Sequence, residues 1–164
     1  MALLHSTMVP LGTLAADFKL PGVDDEEYSL TSFSEYSVLV IIFMCNHCPY
    51  VKAVIQRLID LQKEVSDQGV RLVGINCNDA KKYADDSFEN MKSVSKGWRM
   101  NFPYLLDESQ EIARKYEAVC TPDIYVYGKV RKLLYRGRID DNWEKADQVR
   151  KRDLKQAIDC ILGS

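Results

Sequence analysis

The apolar positions of the chain follow two rhythms. Residues 38–43 (VLVIIF) and 70–76 (VRLVGIN) are near-continuous runs of β-branched and aliphatic side chains, the pattern of strands buried on both faces. Between them, Val51, Val54, Ile55, Leu58 and Val65 recur at helical spacing over residues 49–68, and Gly69 offers a C-terminal stop. Strand, helix and strand in this order predict a parallel, right-handed β-α-β unit.

The flanking stretches extend this unit. Residues 18–30 (FKLPGVDDEEYSL) carry Pro-Gly and an acidic tip between short apolar segments, which predicts a β-hairpin. Phe88, Met91 and Trp98 share one side of a helix predicted over 87–98, and FPYLLD reads as a short strand. Asp107 and Gln110 resemble a capping box for a helix running through Tyr116, with Ile112, Ala113 and Tyr116 facing inward. Two strand-like runs flank Gly128-Lys129, a second hairpin, and residues 149–162 place Leu154, Ala157, Ile158, Ile161 and Leu162 on one helical face. The order predicts an α/β fold with a mixed sheet and an N-terminal hairpin extension. No repeat or linker interrupts it, so residues 1–164 are expected to form a single domain, with 1–14 loosely ordered.

Composition narrows the function classes. Apolar content of 46%, charged content of 28% and a net charge of −2 describe a globular chain with no global attraction to nucleic acid. The basic residues Lys129, Arg131, Lys132, Arg136 and Arg138 cluster at the second hairpin, where alternation predicts a solvated edge strand rather than a nucleic-acid surface. The longest apolar run, residues 38–45, is too short to span a bilayer. The first eighteen residues hold no Lys or Arg and no sustained apolar core, so neither a secretory signal nor a transit peptide is expected, and the cytoplasm is the expected location. Five cysteines, an odd and uneven set, do not form a disulfide framework.

The chemistry concentrates in FMCNHCPYV, residues 43–51. Cys45 follows a predicted strand and precedes a predicted helix, where unpaired N–H groups and the helix dipole favour thiolate over thiol. His47 adds a second source of positive charge, and Pro49 is compatible with a first helical turn. The i, i+3 spacing brings the two sulfurs within reach of a disulfide. On this reading Cys45, the more exposed thiol, attacks a partner disulfide, and the deeper Cys48 resolves the mixed disulfide.

A β-α-β opening into C-x-x-C, then CTPD, a hairpin and a final helix resembles the thioredoxin fold. The front half, from AADFKLPGVDDEEYSLTSF to VLVIIFMCNHCPYV, resembles the alkyl-hydroperoxide-reductase/thiol-specific-antioxidant (redoxin) branch. The resemblance implies a thioredoxin-like fold: a central mixed sheet flanked by helices, with an insertion before a cis-proline loop. It implies that Cys45 and Cys48 are the redox pair, that Pro122 is the cis proline, and that Thr121 offers backbone hydrogen bonds to substrate. Asn46 and His47 replace the Gly-Pro of thioredoxins, and Met44 replaces their Trp. Leu39 stands where thioredoxins place a buried acid, so the proton acceptor for Cys48 is unassigned. The peroxidatic pattern P-x-x-x-T-x-x-C is absent, with Val38 and Ile42 at its Pro and Thr positions before Cys45.

The expected activity is thiol–disulfide exchange without a bound cofactor. Its partners would be a disulfide-containing protein or small thiol, and an upstream thiol reductant such as another thiol protein or glutathione. Neither nucleic acid nor membrane is expected among them. A thiol-dependent peroxidase is the alternative, with Cys45 oxidised to sulfenic acid and resolved by Cys48 or Cys120. A zinc module is a third reading, in which Cys77, Cys120 or His47 would complete the ligand set. Cys120, two residues before Pro122, is either a third redox cysteine or a small buried residue, and Cys77 and Cys160 read as structural.

Overall fold

The structure, a computed structural model, describes residues 9–119 and 121–163. In chain order its elements are β1 (Lys19–Pro21), β2 (Glu27–Ser29), β3 (Val38–Phe43), α1 (Pro49–Val65), β4 (Val70–Asn76), α2 (Phe88–Trp98), β5 (Tyr104–Leu106), α3 (Glu111–Lys115), β6 (Asp123–Tyr127), β7 (Leu133–Gly137) and α4 (Asp153–Leu162). β1 and β2 pair antiparallel as the expected hairpin. The other strands form one mixed sheet in the order β5-β4-β3-β6-β7. This is the thioredoxin-like α/β arrangement, and α2, β5 and α3 form the insertion between β4 and the Thr121–Pro122 bond.

β3 sits at the centre because all six of its side chains are apolar and buried. It pairs parallel with β4, Val38 opposite Val70, and antiparallel with β6, Leu39 opposite Tyr127. Val38, Val40 and Ile42 point to the face covered by α1 and α4, against Val54, Leu58 and Ile158. Leu39, Ile41 and Phe43 point to the other, against Phe18, Phe33, Tyr116 and Tyr125. Each such side chain contributes roughly 1.5–3 kcal/mol by burial, so the C-terminal edge of β3 is a rigid platform for the cysteine turn.

Several boundaries move for physical reasons. α1 ends at Val65 rather than at residue 68, and Gly69, at φ +73°, turns the chain into β4. α4 starts at Asp153 rather than at residue 149, because the Asp141 carboxylate collects the N–H groups of Arg150 and Lys151 and holds them outside the helix. Asp107 does cap α3, accepting from Ile112 and Ala113, but Gln110 turns its amide to the Glu108 carbonyl, so there is no capping box.

The basic hairpin is solvated in part: Lys129, Lys132 and Arg138 are exposed, whereas Arg131 and Arg136 are drawn inward. Arg131 donates to the carbonyls of Gly128, Phe33 and Tyr36, and Lys129 to that of Ser34. Arg136 is buried against Asp123 at 2.9 Å, and Arg138 reaches Asp153. The edge is polar as alternation predicts, and Arg131 and Arg136 in addition tie it to its neighbours. The expected loosely ordered stretch, 1–14, lies outside the described residues up to residue 8. Beyond that, Gly12 donates to the Leu133 carbonyl and Ala15 to that of Arg131. No helix among the described residues is long and apolar enough to cross a membrane.

Candidate active site

β3 delivers Met44 and Cys45 to the edge of the sheet. Met44 lies directly over Gly74 of β4, where an added Cβ would meet its sulfur at 2.7 Å, so the glycine makes room for the residue before Cys45. α1 begins at Pro49, with Cys48 as its N-cap residue. The thiol at the helix start is therefore Cys48, with Cys45 three residues upstream in an irregular turn. Both cysteines are fully buried, which removes the expected contrast between an exposed Cys45 and a deep Cys48. Position in the motif predicts exposure, but the turn folds Cys45 inward.

The two sulfurs are hydrogen-bonded to each other and share a neighbour. Thr121 places its hydroxyl 3.8 Å from Cys45 Sγ, and its carbonyl oxygen accepts from Cys48 Sγ at 3.4 Å. The Thr121–Pro122 peptide is cis, as expected. The hydrogen bond from Cys45 lowers the Cys48 thiol to about 5, with help from Thr121 and from the N–H groups of Val51 and Tyr50, against the opposing effect of burial. Cys45 moves the other way: its bond to Cys48 comes first, then burial, then the negative charge of Asp86. In the fully protonated pair the Cys48 thiol donates to Thr121. Once one proton has left, the charge rests on Cys48, where the first helical turn supplies donors.

The residues between the cysteines anchor the turn to a segment that the hydropathy pattern leaves blank. Asn46 donates its N–H to Asp86 Oδ1 at 2.6 Å and its amide to the Asp85 carbonyl at 2.8 Å, and accepts from the Tyr104 hydroxyl at 2.8 Å. His47 pairs through Nδ1 with Asp86 Oδ2 and stacks on Tyr83, centroids 5.1 Å apart. Asp86, in a 3-10 turn over Ala84–Asp86, has a fully buried side chain. It also accepts from Asn76 at 3.1 Å and Asn78 at 3.0 Å. Burial, with the nearby Asp86 charge, raises Tyr104 well above its ordinary value and keeps it a donor.

Cys45, His47 and Asp86 each place a ligand-type atom within 4.8 Å of the others. Asp86 Oδ1 already accepts from Asn46 and Asn76, and Oδ2 accepts from Asn78 and pairs with His47, so the carboxylate is engaged within the protein. Of the extra ligands a zinc module would need, His47 joins Cys45 in that cluster and Cys77 does not. Burial raises the Cys77 thiol to about 11 at the end of β4. Cys160 is exposed, on the outer face of α4, where the sequence predicts a packing role. Cys120 lies outside the described residues. Asp86, Asn76, Asn78 and Tyr104 escape a reading by motif and hydropathy: Asn78 and Asp86 lie in the polar stretch between β4 and α2, and Asn76 and Tyr104 lie in strands.

The sequence matches the AhpC/TSA family over residues 11–136. The chain belongs to that family. Two solved structures resemble it over nearly the whole chain. An uncharacterized conserved protein from Geobacillus kaustophilus is 41% identical, with a TM-score of 0.94, covering 99% of this chain and 87% of its own. A hypothetical protein from Sinorhizobium meliloti 1021 is 35% identical, with a TM-score of 0.92, covering 96% and 87%. A putative thiol:disulfide interchange protein DsbE from Chlorobium tepidum, 20% identical with a TM-score of 0.74 and coverage of 95% and 100%, shares the fold. No curated protein matches the sequence. This redoxin thus has a thioredoxin-like fold.

Proposed function

We propose that this redoxin is a thiol–disulfide oxidoreductase that cycles Cys45 and Cys48 between dithiol and disulfide. The observation that carries the reading is the hydrogen-bonded pair of buried sulfurs at the start of α1, covered by Thr121 of the cis-proline loop. Cys45 attacks a disulfide of a protein or small-thiol partner and forms a mixed disulfide. Cys48, already favoured as thiolate at neutral pH, attacks Cys45 Sγ and releases the second partner thiol. In the mixed disulfide Cys45 has no thiol proton left to donate, so Thr121 and the N–H groups of Val51 and Tyr50 favour the Cys48 thiolate in place of the acid missing at Leu39. An upstream thiol reductant returns the pair to the dithiol. The cytoplasm is the proposed location, where the exposed Cys160 stays reduced.

Trapping tests the mechanism. Cys48→Ser should accumulate a mixed disulfide on Cys45, seen by mass spectrometry after reaction with oxidised glutathione, while Cys45→Ser should exchange nothing. Full turnover by Cys45→Ser would sink the assignment.

Family membership supports a second reading, in which a hydroperoxide oxidises Cys45 to sulfenic acid and Cys48 resolves it. We rank it below exchange, because Val38 and Ile42 stand at the Pro and Thr positions of the peroxidatic pattern before Cys45. Hydroperoxide consumption with dithiothreitol, lost in Cys45→Ser, would reverse that ranking.

A further inference from the structure

Resting on the exchange reading and deepening it, we propose that Asp86 is the positioning residue that, through His47, sets the reactivity of Cys45. Asp86 Oδ2 holds His47 Nδ1, and a ring nitrogen of His47 lies within 4.8 Å of Cys45 Sγ, the reach of one bridging water or a small ring rotation. A fully buried carboxylate is costly unless paired and hydrogen-bonded. The chain invests the Asn46 N–H and the amides of Asn76 and Asn78 in keeping this one in place. Tethering the Ala84–Asp86 turn to the cysteine loop would not require a charge, since the Asn46 amide already reaches the Asp85 carbonyl. The charge serves His47.

In the exchange step the Cys45 thiol gives its proton to the His47 imidazole, and Asp86 stabilises the imidazolium that forms. The Cys45 thiolate attacks one sulfur of the partner disulfide, and one partner thiolate leaves. The Cys48 thiolate then attacks Cys45 Sγ, closing the intramolecular disulfide as the second partner thiolate departs. Two electrons pass from the two cysteine sulfurs to the partner, and the partly exposed imidazolium returns its proton to a departing thiolate or to water. The ionisable groups facing Asp86 and His47 are Cys45 with Cys48 behind it, Cys77 on β4, Tyr104 on β5, and Tyr83 stacked on the imidazole, with Asp85 exposed alongside.

Single-turnover reduction of 5,5′-dithiobis(2-nitrobenzoate) by the full-length dithiol protein tests this. Asp86→Asn and His47→Gln should each slow the reaction about 10²-fold at neutral pH, and the double variant should be no slower than either single one. Both should approach the unsubstituted protein as alkaline pH supplies the base. An unchanged rate in Asp86→Asn, or an Asp86→Asn effect that adds in full to that of His47→Gln, overturns the proposal. If Asp86→Asn does not fold, His47→Gln, altered at a partly exposed side chain, must show both the slowing and the alkaline recovery, or the proposal falls. Exchange lost in Cys45→Ser but unaltered in Asp86→Asn overturns Asp86 alone. No exchange by the unsubstituted dithiol protein overturns both readings.

Discussion

Cys48 is where a single residue's environment makes its own prediction. It caps α1, with the N–H groups of Tyr50 and Val51 and the Cys45 thiol turned toward its sulfur. The reduced protein should therefore show one equivalent of thiolate absorbance at 240 nm at neutral pH, rising with a midpoint near 5. Cys48→Ser should abolish that step, whereas a step retained in Cys48→Ser and lost in Cys45→Ser would place the charge on the other sulfur. The pair and His47 were legible because the motif puts them beside one another in sequence. Asp86 was not, because it reaches Cys45 only after the chain has crossed β4 and turned back through a polar stretch that carries no hydropathy signal. The burial of Cys45 was equally hidden, since it depends on Asn46 being drawn to Asp86 and Tyr104.

At the scale of elements, continuous apolar runs read correctly because burial on both faces leaves no other pattern: β4 and β3 have the limits that their sequences predict. Helix ends read less well, because side chains from distant residues decide them, as Asp141 does ahead of α4. One such distant contact joins α1 to the loop before α4. Arg57 on α1 pairs with the buried Asp140 and donates to the carbonyls of Asn142 and Trp143. This brings Trp143 edge-on to Tyr50, centroids 4.4 Å apart, two residues from Cys48. Arg57→Met keeps the apolar stem but leaves Asp140 buried without its cation, so urea unfolding should show a loss of about 3 kcal/mol. A loss under about 0.5 kcal/mol would mean that the pair behaves like an ordinary surface bridge.

At the scale of the whole molecule, thiolate stabilisation in the folded state ties redox state to stability. The folded Cys48 thiol lies at about 5, below its ordinary value of 9.0. A group whose folded value is depressed contributes stability that is fully present above its unfolded value and is lost as pH falls through the folded one. For Cys48 that window runs from 9.0 down to about 5. The contribution belongs to the dithiol protein alone, because a disulfide has no thiol to ionise. Cys45 is raised, so at pH values below 9.0 it stays protonated both folded and unfolded and cancels little of this. The cysteines enclose only a short loop, so the disulfide restricts the unfolded chain little. The reduced protein should therefore gain thermal stability over the oxidised one as pH rises from 5 to 9, with the difference in Tm shrinking toward pH 5. Calorimetry of both forms across that range measures it. A Tm difference that does not change with pH would mean that the fold holds no thiolate, and Cys48 could not then resolve the mixed disulfide without a base. A difference that grows as described makes the disulfide easier to reduce in the folded protein than in an unfolded peptide, and so gives the Cys45–Cys48 couple an oxidising poise.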